Sequence, residues 1–406
     1  MYIKRHIENA VLRRAITKGA VVVTGARQTG KTTLIETIKP DITKVTFDDL
    51  PTRLRAIDEP SAFFDMTPPP IFIDEVQYAP NIFSYIKILL DKSKNKGDFF
   101  LTGSQSFALM KNVSESLAGR AGILELLGLS LREIHGEEWN TPFIPTLEYL
   151  LKRKENKINT NATELWQIIH RGCLPELVAN PSFDWDDFYS DYIKTYIERD
   201  VRNLTQVANE GDFLKFMTVC AAMTGQMLNL SSIARDVGIS EPTAKRWLSI
   251  LSASGIIYLL KPYRNNIIKR TVKTPKIYFL DIGLAAYLTR WKTYETLMVG
   301  AMNGSFFESF VVAEILKSYT NAGKDVDMYY LRDGNQREID ILIHENNTLY
   351  PIERKVQSEP NPKDIKSFAM LDEIKNVNIG EGGIICLAKD LLPLTKQHKI
   401  IPLWAI

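Results

Sequence analysis

GARQTGKTT, Gly25 to Thr33, places four residues between two glycines and follows the second with Lys31 and Thr32. That spacing suits phosphate. Glycines let a backbone fold its amides around phosphate oxygens, and a helix starting just after them adds positive dipole character. Gly25, Ala26, Arg27, Gln28, Thr29 and Gly30 would form the cradle. Lys31 would reach the β- and γ-phosphates, and Thr32, with Thr33 beside it, would offer a hydroxyl to magnesium. IFIDEVQ supplies Asp74, a carboxylate for the same ion, and Glu75, an acid able to orient and deprotonate an attacking water. A solvated strand end is the competing reading of that acid pair. FFLTGSQS adds Thr102 and Ser104, which would sense the γ-phosphate or simply make a turn. Arg120, in the Gly-flanked SLAGRAG, would be either a finger presented to a neighbouring subunit or a surface residue.

These groups need a scaffold. Ala20–Val23 is an apolar run, as is Ile71–Ile73, and Phe99–Leu101 is a third. Short continuous apolar runs suit parallel strands covered on both faces. Leu34, Ile35 and Ile38 recur at helical spacing after the loop, so the order strand, loop, helix is the one phosphate binding requires. An α/β fold follows.

With 406 residues, the chain is too long for one ordinary core, and two to four domains are expected. No apolar run is long enough to span a bilayer, and MYIKRHIENAVLRR lacks the apolar centre of a signal peptide. Cys173, Cys220 and Cys386 are scattered and odd in number, which predicts free core thiols in a reducing cytoplasm. A net charge of +2 leaves any nucleic-acid contact to local basic patches.

GARQTGKTT, IFIDEVQ, FFLTGSQS and LAGRAG, in this order, resemble the AAA-type P-loop ATPases of bacteria and archaea. The likeness is greatest to a subgroup whose long C-terminal half is known only as a domain of unknown function. HRGCLPELV, YIERDVRNL and PKIYFLDIGL resemble further markers of that subgroup. The resemblance implies magnesium-dependent ATP binding and hydrolysis. It assigns Lys31 and Thr32 to phosphates and metal, and Asp74 and Glu75 to metal and water. Arg171 is the candidate for a sensor arginine by its proximity to HRGCLPELV.

The predicted divisions are a P-loop AAA-type core over 1–140, a helical connector over 141–226, a winged helix-turn-helix over 227–285 and a C-terminal α/β domain over 286–406. In the connector, Trp166, His170 and Tyr192 read as core rather than as ligands or stacking platforms. In LSSIARDVGISEPTAKRWLSILSASGIIYLLKPY, Ser231 would cap a short helix, Gly238 would turn the chain and Ser240 would cap a second helix. Lys245 and Arg246 lie on that second helix, and Arg264, Lys269, Arg270 and Lys273 lie on or near the hairpin. They would meet DNA phosphates, unless the module serves as a lid or docking surface.

In GSFFESFVVAEILKSY, Glu308 shares a helical stripe with Val311, Val312, Ile315 and Tyr319. A carboxylate there is costly unless paired or bound to metal. Asn346-Asn347 suits a two-residue hairpin turn, which sets Ile343 opposite Tyr350, Ile341 opposite Ile352, Asp340 opposite Glu353 and Glu338 opposite Lys355. Asp340 and Glu353 would then repel, unless a divalent cation joins them or the register slips by two and brings Lys355 to Asp340. Glu308, Asp340 and Glu353-x-Lys355 on an α-β-β-β-α-β order resemble the PD-(D/E)xK nuclease fold. The resemblance implies that the acids hold magnesium and that Lys355 orients water or steadies negative charge.

Three functions fit: an ATP-driven switch or motor that engages DNA and carries a nuclease-like domain; a non-cleaving ATP-controlled regulator with an inactive nuclease fold; and a small-molecule kinase, which Glu75 and the C-terminal half disfavour. A homo-oligomer would follow from a finger at Arg120, and no membrane partner is expected.

Overall fold

The computed structural model describes residues 2–103, 113, 116–196, 210–264 and 274–406. Ser104, Lys269, Arg270 and Lys273 lie outside the described residues. Among those described, no helix is long and apolar enough to cross a membrane.

The first sheet contains β1 (Ala20–Thr24), β2 (Thr43–Thr46), β3 (Ile71–Asp74), β4 (Phe99–Gly103) and β5 (Ala121–Glu125). All its pairings are parallel, in the order β2-β3-β4-β1-β5. Alternation explains the apolar runs. Ala20 and Val22 join Ile71, Ile73, Phe99 and Leu101 in one core, while Val21 and Val23 join Phe72 and Phe100 in the core on the other face. Because β4 lies between β1 and β3, the carboxyl ends of three adjacent strands bring the loop after β1, Thr102 and Asp74 to one edge.

Four of the helices that follow are Ala162–Arg171, Pro175–Ala179, Trp185–Tyr196 and Glu210–Ala222. Trp166 and Tyr192 are buried among them. His170 stacks on Trp185 with ring centroids 4.4 Å apart, and its Nε2 contacts the Trp291 carbonyl, so it is a core residue. The three cysteines are free and buried.

The next helices are Leu230–Val237 and Glu241–Ala253, joined through Gly238 at φ 86°. Ser240 caps the second helix as expected, accepting from the Thr243 amide. The first helix is capped by Asn229 rather than Ser231, because the Asn229 side chain reaches the Ser232 amide. An antiparallel pair follows, β7 (Ile257–Pro262) with β8 (Lys276–Phe279), and β6 (Gln226–Met227) adds to β8.

The C-terminal strands are β9 (Met328–Arg332), β10 (Glu338–Glu345), β11 (Thr348–Lys355), β12 (Asn378–Ile379), β13 (Gly382–Cys386), β14 (Leu392–Pro393) and β15 (His398–Pro402). The β10–β11 register pairs Ile341 with Ile352 and Ile343 with Tyr350, as the turn predicts. Asn346 and Asn347 both take positive φ, 50° and 58°. Parallel pairing of β7 with β9 fuses the β7–β8 pair into the same ten-stranded sheet. One face packs on the Asn303–Thr320 helix in a core that runs from Leu127 to Ile406. The other face packs on a 3-10 helix, Pro362–Glu373, which takes the place of the second helix in the predicted α-β-β-β-α-β order.

Candidate functional site

Gly25 takes φ 142°, and a Cβ there would sit 2.2 Å from the Leu126 carbonyl oxygen, so only glycine fits. Gly30, at φ 88°, precedes the Lys31–Ile38 helix. Lys31 is buried, and its Nζ donates to the Gly25 and Ala26 carbonyls at 3.1 and 2.7 Å. The Thr29 hydroxyl donates to the Ala26 carbonyl at 2.9 Å, bracing the loop from within. Thr32 donates its hydroxyl to Asp74 Oδ2 at 2.9 Å, and Thr102 donates to Asp74 Oδ1. Thr32, Asp74 and Thr102 thus form a hydroxyl–carboxylate–hydroxyl bridge.

Glu75 follows in the left-handed region, φ 53°, which for a non-glycine residue is a strained backbone. Its carboxylate accepts from Gln77 Nε2. Glu75, Arg27, Lys31, Thr32, Tyr192 and Thr195 line a cavity of about 270 Å³ on one side of the loop. A second cavity of about 310 Å³ lies between the loop and the N-terminal segment, with Tyr2, Gln28, Gly30, Thr33, Pro175 and Asn180 among its lining. Two helices, Pro175–Ala179 and Trp185–Tyr196, therefore flank the loop.

Three contributors carried no sequence signal. Arg5 is buried and donates to the Thr29 carbonyl at 2.8 Å, to Leu127 O at 2.7 Å and to Glu133 Oε1 at 3.0 Å, bracing the loop from behind. Tyr192 and Thr195 face the loop from the Trp185–Tyr196 helix. Only tertiary packing brings these groups to the loop. Arg171 donates to the carbonyls of Leu177, Asn180 and Phe183 and so shapes the connector.

Arg120 is at the other edge of the sheet. Its carbonyl accepts from Gly19 and Ala20 at the start of β1, whereas the Gly25–Thr33 loop leaves the end of β1. Its guanidinium makes a two-pronged contact with Asp91, at 2.6 and 3.0 Å. Five strand residues at about 3.3 Å each separate it from its own loop.

Lys245 and Arg246 are exposed on the Glu241–Ala253 helix, whose Ala244, Trp247, Leu248 and Leu251 are buried. Arg264 is exposed and lines a cavity of about 710 Å³ with Lys261, Tyr263, Tyr329 and His344.

Toward the C-terminus the structure separates Glu308 from Glu353, while Asp340 stays beside Glu353. Glu308 is buried on the Asn303–Thr320 helix and is fully engaged there. Lys276 Nζ donates to its Oε1 at 2.9 Å, the Tyr278 hydroxyl to Oε1 at 2.5 Å, and Arg354 to Oε2 from Nε and Nη2 at 2.9 and 2.6 Å. Glu353 lies on the opposite face of β11, where Ser367 donates to its Oε1 at 3.0 Å. Asp340 sits at a register shift in β10 and accepts from the Arg354 amide at 3.2 Å. With the cationic side chains in place, no group of three His, Cys, Asp or Glu among the described residues could hold a metal ion. Glu338 pairs with Arg332 and Lys276 rather than with Lys355, which lies 4.0 Å from Asp364. Burial, and then the neighbouring Asp340 carboxylate, push the Glu353 carboxyl well above its usual range. Burial opposes the Lys276 charge, but the Glu308, Asp340 and Glu338 carboxylates outweigh it and hold that ammonium above the ordinary lysine value.

Residues 17–135 match the family model described as an AAA domain, a span that takes in the Gly25–Thr33 loop and the five parallel strands. This part of the chain is similar to AAA domains. Residues 162–295 and 303–406 match two models described as domains of unknown function, DUF8612 and DUF4143. The uncharacterized protein Rv2008c of Mycobacterium tuberculosis is 28% identical over 374 residues, covering 92% of this chain and 78% of that one. The uncharacterized protein MJ1544 of Methanocaldococcus jannaschii is 23% identical over 415 residues, covering 94% and 87%. Among solved structures, the Walker-type ATPase PABY2304 of Pyrococcus abyssi aligns with a TM-score of 0.43 at 14% identity, over 71% of this chain and 96% of that one.

Proposed function

We propose that this chain is a magnesium-dependent ATP-binding and ATP-hydrolysing switch that engages DNA through its winged helix, and whose C-terminal nuclease-like domain binds rather than cuts. The observation that carries the ATP reading is the Thr32–Asp74–Thr102 bridge beside Lys31 at the carboxyl edge of the sheet. Thr32 and Asp74 present hard oxygens 2.9 Å apart, a donor set that fits Mg²⁺ and would hold it. When bound, that ion offsets negative charge on the phosphates.

The residues of the chain divide the remaining work. The loop amides from Gly25 to Thr33 cradle phosphate, and Lys31 turns from the Gly25 and Ala26 carbonyls to the terminal phosphates. Thr102 fixes the orientation of Asp74. Glu75 orients a water and takes its proton, with Gln77 steadying the carboxylate. The adenine ring of ATP takes the cavity beside Pro175 and Tyr2. Arg120 acts on a second copy of the chain, since it stands at the edge of the sheet away from its own loop.

The exposed Lys245, Arg246 and Arg264 support DNA contact through phosphates. The non-cutting reading of the 286–406 domain is supported by the engagement of Glu308 with Lys276, Tyr278 and Arg354, on the face of the sheet away from Glu353. A metal-dependent nuclease is the second reading, favoured by the β10–β11 register, which leads Asp340 toward Glu353. ATP turnover and DNA cleavage measured together, with and without DNA and magnesium, decide between them. Turnover without cleavage is expected. Cleavage lost in both Glu353→Gln and Lys355→Ala with turnover intact would establish a nuclease.

A further inference from the structure

Lys276 is buried on β8, and its ammonium stands among three carboxylates that come from two elements. Nζ lies 2.9 Å from Glu308 Oε1, 2.5 Å from Glu338 Oε1 and 4.0 Å from Asp340 Oδ1. The remaining oxygens are also taken. Arg354 holds Glu308 Oε2 and approaches Asp340 Oδ2 at 3.6 Å, and Arg332 holds Glu338 Oε2 at 2.8 Å. Three carboxylates therefore face three cationic side chains. The Tyr330 ring stacks against the same ammonium, 5.4 Å from its centroid.

A compact ammonium is the side chain nearest in shape and charge density to a bound cation, and burial is tolerable for it only when carboxylates surround it. We propose that Lys276 is a built-in cation occupying the position a divalent metal would take among Glu308, Glu338 and Asp340, so that removing its ammonium uncovers a metal site. The lysine comes from the strand pair after the Glu241–Ala253 helix, and the acids come from the C-terminal domain. The pairing thus also pins that strand pair to the domain, in line with the β7–β9 ladder. It holds whatever the phosphate loop binds.

The test uses the full nucleotide-free chain and Mn²⁺, read by electron paramagnetic resonance and by melting temperature. Wild type, Lys276→Met, Glu308→Gln and the double variant are compared, so that Mn²⁺ bound near Asp74 is common to all. Lys276→Met is expected to gain one bound Mn²⁺ per chain and to melt higher with Mn²⁺ than without it, and Glu308→Gln is expected to abolish that gain. If Lys276→Met folds only when refolded with Mn²⁺, the result supports the same assignment. A folded Lys276→Met that gains no ion overturns it. The wild-type comparison is independent of that variant: Mn²⁺ bound by wild type and lost in Glu308→Gln would show that a metal, not Lys276, belongs there.

Discussion

Arg354 grips Glu308 with two donors on one oxygen, Nε at 2.9 Å and Nη2 at 2.6 Å, while the adjacent Glu353 points to the other face of the sheet. Consecutive strand residues face opposite ways, so Glu353 and the helix acid Glu308 take different partners. Glu308 receives a guanidinium instead, and Glu353 is left with Ser367 and Asp340.

Glu353→Gln should therefore flatten the dependence of stability on pH. In the wild-type protein the unfolded chain gives up the Glu353 proton in the ordinary carboxyl range, while the folded chain keeps it to higher pH. Wild-type stability tied to this group is present at low pH and is lost as pH rises above the unfolded value. Glutamine matches the protonated acid and has no proton to lose. Melting temperatures from about pH 5 to about pH 8 should diverge, with the variant gaining on wild type as pH rises. Parallel curves would show that Glu353 is ionised when folded.

Lys31→Ala should abolish ATP binding or turnover, because the proposed function gives Lys31 the terminal phosphates. Fluorescent-nucleotide titration together with phosphate release measures both. Full turnover at saturating ATP would refute the phosphate-loop assignment.

Glu75→Gln should bind ATP with near wild-type affinity and hydrolyse it about 10²- to 10⁴-fold more slowly, the usual worth of a positioned general base. Asp74, Thr32 and Thr102 remain to hold the rest of the site. A loss of affinity equal to that of Lys31→Ala would remove Glu75 from water activation.

Arg120→Ala should slow turnover without weakening ATP binding, and mixing it with Glu75→Gln chains should restore part of the rate. Each mixed interface can then hold an intact Glu75 on one side and an intact Arg120 on the other. Mixtures that assemble yet stay inactive would leave Arg120 with its Asp91 ion pair alone.

Lys245→Glu with Arg246→Glu should weaken DNA binding. The slope of log affinity against log salt should fall by roughly 0.9 for each phosphate that the helix no longer neutralises. Unchanged affinity and slope would mean that the exposed face of this helix meets protein.

The local pieces are legible in the order of the residues. The Gly25–Thr33 loop is legible because the glycines that turn it and the Lys31 that bonds back to its carbonyls are near neighbours in sequence. The β10–β11 register is legible because Asn346 and Asn347 admit positive φ at a two-residue turn. The pair of helices over 230–253 is legible through Gly238 and Ser240, although the cap of the first fell to Asn229 rather than Ser231. Tertiary structure alone decided what came from far along the chain. It set Arg5 behind the loop, Tyr192 and Thr195 in front of it, and Lys276 beside Glu308. It also decided which face of the C-terminal sheet the Asn303–Thr320 helix covers. Alternation along a strand tells which residues share a face but not which face a distant helix will bury, and on that choice Glu308 met Arg354 rather than Glu353.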